Sequence, residues 1–282
     1  MKKLLAIISD PANCDTFIQY TCHMSEDMSR MPYFLYILNP AVYTMSSGSV
    51  RPGTEAIGFD IETDKKNALK LIQENINKVK KKVPGNLPFN FSAELGPADM
   101  VIKRMLAENG ADMYIVEGRQ KSGIWGLDNV NIELTQKVDC PGWIIPYKFH
   151  YRPFRNIIYA TDFKKADIDT LKSLIKLTGA YSPYITAVHL TGSDDFEKKV
   201  KKTGFENMIK EKMGYKNSRV VPLVERGKKS PGEYIDEFAV KNDADLIVLL
   251  KENKNFTERL FGSSFSKNVI RKTEFPVLVF HE

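Results

Sequence analysis

The residues best suited to chemistry lie toward the C-terminus. Gly262-Ser263-Ser264 opens a segment in which Phe265, Val269 and Ile270 recur at helical spacing, so one of the two serines is a natural N-cap. The first amides of a helix have no partner within it, and together with the helix dipole they favour an anion or a nucleotide phosphate. Asp162 follows an expected strand, Arg155–Ala160, and Leu190 closes another, Tyr184–Leu190. Gly262, Ser263 and Ser264 are candidate binding residues for a small anionic ligand, and Asp162 and Leu190 stand where two expected strands end. Each also has a structural reading. Asp162 can cap the helix after its strand, and Gly262-Ser263 can be no more than a good helix start. His189 sits inside a strand and reads as a packed or hydrogen-bonded residue rather than an acid or base.

The element that must position the serines is Ala244–Glu282. Leu246–Leu250 is a continuous apolar run, as in a strand buried on both faces, and Pro276 opens a second run, Val277–Phe280. Strand, loop, helix and strand make a βαβ crossover, whose loop leads to the helix start. No catalytic pair and no metal set can be named. The chain has no Walker loop, Gly-x-Ser-x-Gly elbow or His-Glu-x-x-His, and Cys14, Cys22 and His23 fit no zinc spacing.

Composition bounds the rest. The 282 residues suffice for two domains, and 43% hydrophobic with 27% charged residues is ordinary for a globular chain. No apolar run approaches a membrane span. The start, Met1-Lys2-Lys3 followed by Leu4–Ile8, imitates a signal peptide, but its apolar core is too short and reads as a first strand. Three cysteines without a CxxC favour reduced thiols and a cytoplasmic location. Acids and bases balance in residues 1–150, so the whole net charge of +6 falls in residues 151–282. No nucleic-acid motif accompanies it, so nucleic acid is not an expected partner.

The order of elements repeats. In the first half strands are expected at Leu4–Ile8, Tyr33–Leu38, Phe89–Glu94, Met113–Val116 and Trp143–Pro146, with helices near Asp15–Met28, Lys65–Lys82 capped by Asp64, Pro97–Asn109 and Asn131–Val138. The second half places strands at Arg155–Ala160, Tyr184–Leu190, Val220–Val224, Leu246–Leu250 and Val277–Phe280, and helices at Ala166–Thr178, Asp194–Tyr215 and Ser230–Asn242. Asn109-Gly-Ala-Asp112 matches Asn242-Asp-Ala-Asp245, Pro141 matches Pro276, and Asp10 matches Asp162. The offset falls from 152 at the aspartates after strand one to 133 at Asp112 and Asp245. The first half therefore carries extra residues, and the Gly/Ser/Thr/Pro-rich stretch near 39–64 is where an insertion fits. The expectation is an α/β protein of two tandem doubly wound five-stranded parallel-sheet domains, 1–150 and 151–282, joined near Tyr147–Pro153.

With that repeat, the chain resembles the universal stress protein family in its tandem form. The resemblance rests on Ile157-Ile-Tyr-Ala-Thr-Asp-Phe163, Ile185-Thr-Ala-Val-His-Leu190, Ala244-Asp-Leu-Ile-Val-Leu249, Gly262-Ser-Ser264 and Pro276-Val-Leu-Val279, and more weakly on Asp10, Ala111–Val116 and Cys140-Pro141. It implies a Rossmann-like fold of the adenine nucleotide alpha-hydrolase type and a stress-response or regulatory role exercised by binding. It also implies ATP as the ligand, held by an Asp after strand one and the backbone after strand two, positions that fall on Asp162 and Leu190, where a loop Gly-x-x-Gly-x9-Gly-(Ser/Thr) is intact. Here only Gly262-Ser263 survives. The first two glycine positions fall on Leu249 and Glu252, or one residue on at Leu250 and Asn253. Gly118 is near register in the first half, whereas Gly123 and Gly126 are not. A degenerate ATP site is expected, with glycine at Leu250 and Asn253 restoring affinity if the loop alone is at fault. An adenine-nucleotide binder with slow or no hydrolysis is the alternative. The last strands, Trp143–Pro146 and Val277–Phe280, are apolar edges expected to pair with each other or across a homodimer.

Overall fold

The computed structural model describes residues 2–39, 60–83, 88–118, 134–135, 137–192, 196–225, 227, 229–251 and 273–282. The chain forms two compact units, Met1–Asp139 with Tyr147–Tyr151, and Cys140–Pro146 with Arg152–Glu282.

Unit 1 alternates β1 (Lys3–Ile8), α1 (Asp15–Asp27), β2 (Met31–Leu38), α2 (Ile61–Val79), β3 (Asn90–Leu95), α3 (Ala98–Asn109) and β4 (Ala111–Glu117). Its strands are parallel in the order β3-β2-β1-β4. The apolar runs are buried, from Leu4 to Ile8 in β1 and from Met113 to Val116 in β4, as helices on both faces require. Helix α2 begins one turn earlier than the sequence suggests. Its cap is Asp60, not Asp64, and accepts from the Glu62 amide at 3.1 Å and from Thr63 Oγ1 at 2.5 Å. Glu62 and Asp64 then fall in the first turn, where the dipole favours acids. Residues 61–64 thus belong to a helix, and 40–59 of the expected insertion lie outside the described residues. The buried stripe of α2 is Ala68, Ile72, Asn75, Ile76 and Val79, while Leu69 is half-buried. Asn75 Nδ2 donates to the carbonyls of Pro11 and Ala12 at 3.0 and 3.2 Å, which accounts for a polar group in that stripe. Gly110 ends α3 in the left-handed conformation, as expected. Of the helix expected at Asn131–Val138, residues 131–133 and 136 lie outside the described residues.

Unit 2 contains β5 (Gly142–Ile145), β6 (Asn156–Ala160), α4 (Lys165–Thr178), β7 (Tyr184–Thr191), α5 (Phe196–Asn207, closing in a π turn at Met208–Lys212), β8 (Ser218–Val224), α6 (Pro231–Lys241), β9 (Leu246–Lys251) and β10 (Val277–His281). The order is β5-β10-β9-β6-β7-β8. All neighbours are parallel except β5, which runs antiparallel to β10 with Leu278 opposite Trp143. The two apolar edges therefore pair within one chain. Where five strands were expected in each half, unit 1 has four and unit 2 six among the described residues, because β5 lies in the second unit. Its Trp143 ring stacks on Phe154, with centroids 5.4 Å apart.

The aspartates matched by the repeat do similar work. Asp112, before the core of β4, accepts from Lys2 at 2.7 Å and is paired with Arg30. Asp245, before β9, accepts from the Arg155 and Asn156 amides at 2.8 and 2.9 Å and pairs with Arg152. Each ties the start of a fourth strand to the start of the first. Among the described residues no helix is long and apolar enough to cross a membrane.

Candidate functional site

In each unit the strand order reverses beside the first strand, between β1 and β4 and between β6 and β9. Ligands of open α/β sheets bind in the crevice beyond the carboxyl ends of the strands at such a point. In unit 2 that crevice lies beyond the carboxyl ends of β6, β7 and β9. Asp162 comes two residues after β6, and Leu190 is the penultimate residue of β7. The ladder Ala160↔Val188 brings both to the same end of adjacent strands. Leu190 is buried and presents no polar side chain. Gly262, Ser263 and Ser264 lie outside the described residues, as do Gly123 and Gly126 of the first half.

The conformation of the turn after β6 is fixed by a residue that sequence reasoning missed. Asp167 is 3% exposed. It accepts from Tyr159 Oη at 2.7 Å, Thr161 Oγ1 at 2.9 Å, the Lys164 amide at 2.8 Å and the Asp162 amide at 3.3 Å. Burial raises its pKa above the usual carboxylate range against those four bonds. It also pushes the Tyr159 phenol well above its ordinary value, helped by the charge of Asp167. Asp162 is therefore not the cap of α4. Asp167, three residues past the N-cap Lys164, performs that service, a position where an acid signals a helix start. The sequence signal existed, but Lys164 at the N-cap obscured it.

Asp162 is thus left to face its neighbours across the strand ends. Its Oδ1 is 3.8 Å from His189 Nδ1, with side chains 16% and 15% exposed. His189 Nδ1 is 2.8 Å from the Thr161 carbonyl oxygen. A carbonyl only accepts, so Nδ1 carries the proton. The Phe163 ring covers the imidazole, with centroids 4.4 Å apart, and meets Phe205 at 5.3 Å. Phe163 holds a left-handed φ of 60°, uncommon for a bulky residue, and its amide donates to Thr161 Oγ1 at 3.0 Å. The site thus offers a carboxylate and an aromatic-covered imidazole in a fixed frame, an arrangement suited to holding a ligand by hydrogen bonds and stacking.

Unit 1 differs at the corresponding place. Asp10, the counterpart of Asp162, accepts from the Ala12 amide at 3.0 Å and Asn13 Nδ2 at 2.9 Å, capping a 3-10 turn at Pro11–Asn13. The buried Glu117 ends β4.

Comparison with known proteins reveals the same division. Residues 153–281 match the model of the Universal stress protein family. No curated protein matches the chain. A universal stress protein from Archaeoglobus fulgidus DSM 4304 is similar in structure over 98% of this chain and 96% of its own, with TM-score 0.63 and 16% identity. A putative universal stress protein from Pseudomonas aeruginosa UCBPP-PA14 covers 100% and 93%, with TM-score 0.63 and 12% identity. The cytoplasmic domain of a prokaryotic cation chloride cotransporter covers 99% and 95%, with TM-score 0.54 and 10% identity. At such identities the likeness is one of fold, and the third shows that this fold serves proteins of different kinds. The family match, by contrast, rests on the sequence itself, and it spans residues 153–281.

Proposed function

We propose that this protein is a tandem universal stress protein of the cytoplasm. It acts in stress response or regulation by binding a small anionic ligand or a protein partner at the unit 2 crevice, without catalysis. Its site comprises Asp162 and Leu190 with Gly262, Ser263 and Ser264, and its ATP loop is degenerate. The observation that carries this reading is the course of β9. The strand runs through Leu250, 2% exposed and paired with Phe280, to Lys251. The first glycine of the family loop would therefore fall on a core strand residue, Leu249 or Leu250, where no backbone cradle for phosphate can begin. The β5–β10 ladder favours pairing of the last strands within the chain over a homodimer through them, because β5 occupies the outer edge of β10.

The same burial changes what a restored loop would do. Leu250→Gly removes a packed leucine and costs unit 2 about 2–5 kcal/mol, so the double change with Asn253→Gly does not isolate the phosphate cradle. Native mass spectrometry of the freshly purified full chain is the cleaner test. The expected mass is that of one polypeptide without nucleotide. A retained adenine nucleotide would establish the alternative, a nucleotide-binding universal stress protein. A twofold mass would restore the homodimer.

A further inference from the structure

Glu117 stands out in unit 1. It is the last residue of β4 and only 3% exposed. By the repeat, with Asp112 matching Asp245, its counterpart is Leu250, a buried apolar residue. A carboxylic acid thus occupies a position the sister unit fills with leucine. Its Oε1 accepts from the Lys148 amide at 3.0 Å. Lys148 sits in a turn with a left-handed φ of 55°, uncommon for a residue other than glycine. The turn belongs to Tyr147–Tyr151, the segment that joins unit 1 although the residues on either side of it belong to unit 2. The remainder of that segment is held on α1. Tyr151 hydrogen-bonds Asp27, its ring meets Tyr20 edge-on at 5.2 Å, and His23 stacks on it at 5.9 Å.

We propose that Glu117 is a proton-operated latch for Tyr147–Tyr151, buried beneath the Lys148 turn when neutral and driving that turn open to water when ionised. The groups facing Glu117 favour the neutral form. Asp10 beyond β1 and Asp15 at the start of α1 are acidic, Cys14 between them is a buried thiol, and Lys148 is the cation that opposes them. Burial, then the nearby Asp10 and Asp15, push Glu117 up to about 7, against the Lys148 hydrogen bond and charge. Once the turn lifts, water solvates the carboxyl and its pKa returns toward the ordinary value of about 4.3. The closed form therefore holds the proton more tightly than the open form. Raising the pH releases that proton and shifts the balance toward opening, with the steepest change between those two values and a continued rise through 7. This device is independent of what unit 2 binds.

Amide hydrogen exchange of Lys148 in the full chain reads the opening directly, once rates are divided by the intrinsic exchange rate at each pH. The opening constant should rise about tenfold from pH 6 to pH 8 in the wild type and stay level in Glu117→Gln. A level wild-type profile, or an equal rise in the variant, overturns the proposal. Should Glu117→Gln fail to fold, carbon-13 NMR of the wild-type carboxyl groups decides. Titration of Glu117 near 7 supports the latch, and titration in the ordinary glutamate range overturns it.

Discussion

His189 Nδ1 lies 2.8 Å from the carbonyl oxygen of Thr161, so a side chain of β7 closes the backbone just beyond β6. The bond fixes the tautomer of the imidazole and its distance from Asp162. Replacement by phenylalanine keeps an aromatic ring against Phe163 but removes the donor. His189→Phe should lower stability by about 1–3 kcal/mol, read as a fall in the urea midpoint at unchanged m-value. Nitrogen-15 NMR should show Nδ1 protonated in the wild type, and the opposite tautomer would contradict the geometry.

Asp167 makes a sharper prediction. Asp167→Ala leaves the hydroxyls of Tyr159 and Thr161 and the Lys164 amide without their shared acceptor. About 3–5 kcal/mol should be lost, as when one partner of a buried polar network is removed. Asp167→Asn keeps one acceptor oxygen and should lose less. Equal losses in urea unfolding would show that the carboxylate's second oxygen and charge are immaterial.

Gly96 follows β3 with a φ of 154°, and an added Cβ would stand 2.8 Å from Val101 Cγ2. Val101 is buried in the first turns of α3 and has little room to yield. Gly96→Ala should cost about 1–3 kcal/mol through contact and backbone together. Thermal unfolding measures it, and an unchanged midpoint would mean that α3 shifts freely.

Glu117 links stability to pH with a definite sign. Its pKa is raised on folding to about 7, so its stabilising contribution is complete below the unfolded value and is lost as pH climbs through 7. Unit 1 should therefore be less stable at pH 8 than at pH 5, by about 2–3 kcal/mol at most from this group. Glu117→Leu, which copies the sister residue Leu250, should flatten that part of the profile. Chemical denaturation of wild type and variant at both pH values gives the comparison, and parallel profiles would assign the dependence to other groups.

Much of this architecture was legible because parallel strands are apolar along their whole length. Leu4–Ile8, Leu246–Leu250 and Val277–Phe280 announced themselves, and Asp112 and Asp245, matched in the sequence, each hold the start of a strand. Errors arose where local signals compete. Asp60 and Asp64 both suit a helix start, and only the bonds to Glu62 and Thr63 decide between them. The strand expected to end at Val116 runs on to Glu117, because a charged residue looks like a boundary when burial is unknown. The pairing of Trp143 with Leu278 could be anticipated from two apolar edges, but a four-residue run says nothing of its direction. In the candidate site, Asp162 and His189 were visible as residue types. The Asp167 network that frames them depends on Tyr159, Thr161 and Lys164 converging in space.

The unit 2 crevice is proposed to work without ATP. Calorimetric titration of ATP into the full-length wild type, with Asp162→Ala as control, tests it most directly. Weak heats or none are expected, unchanged in the variant, because Leu249 and Leu250 keep β9 where a glycine cradle would have to begin. Tight, saturable binding by the wild type that Asp162→Ala weakens would contradict it and establish a nucleotide site.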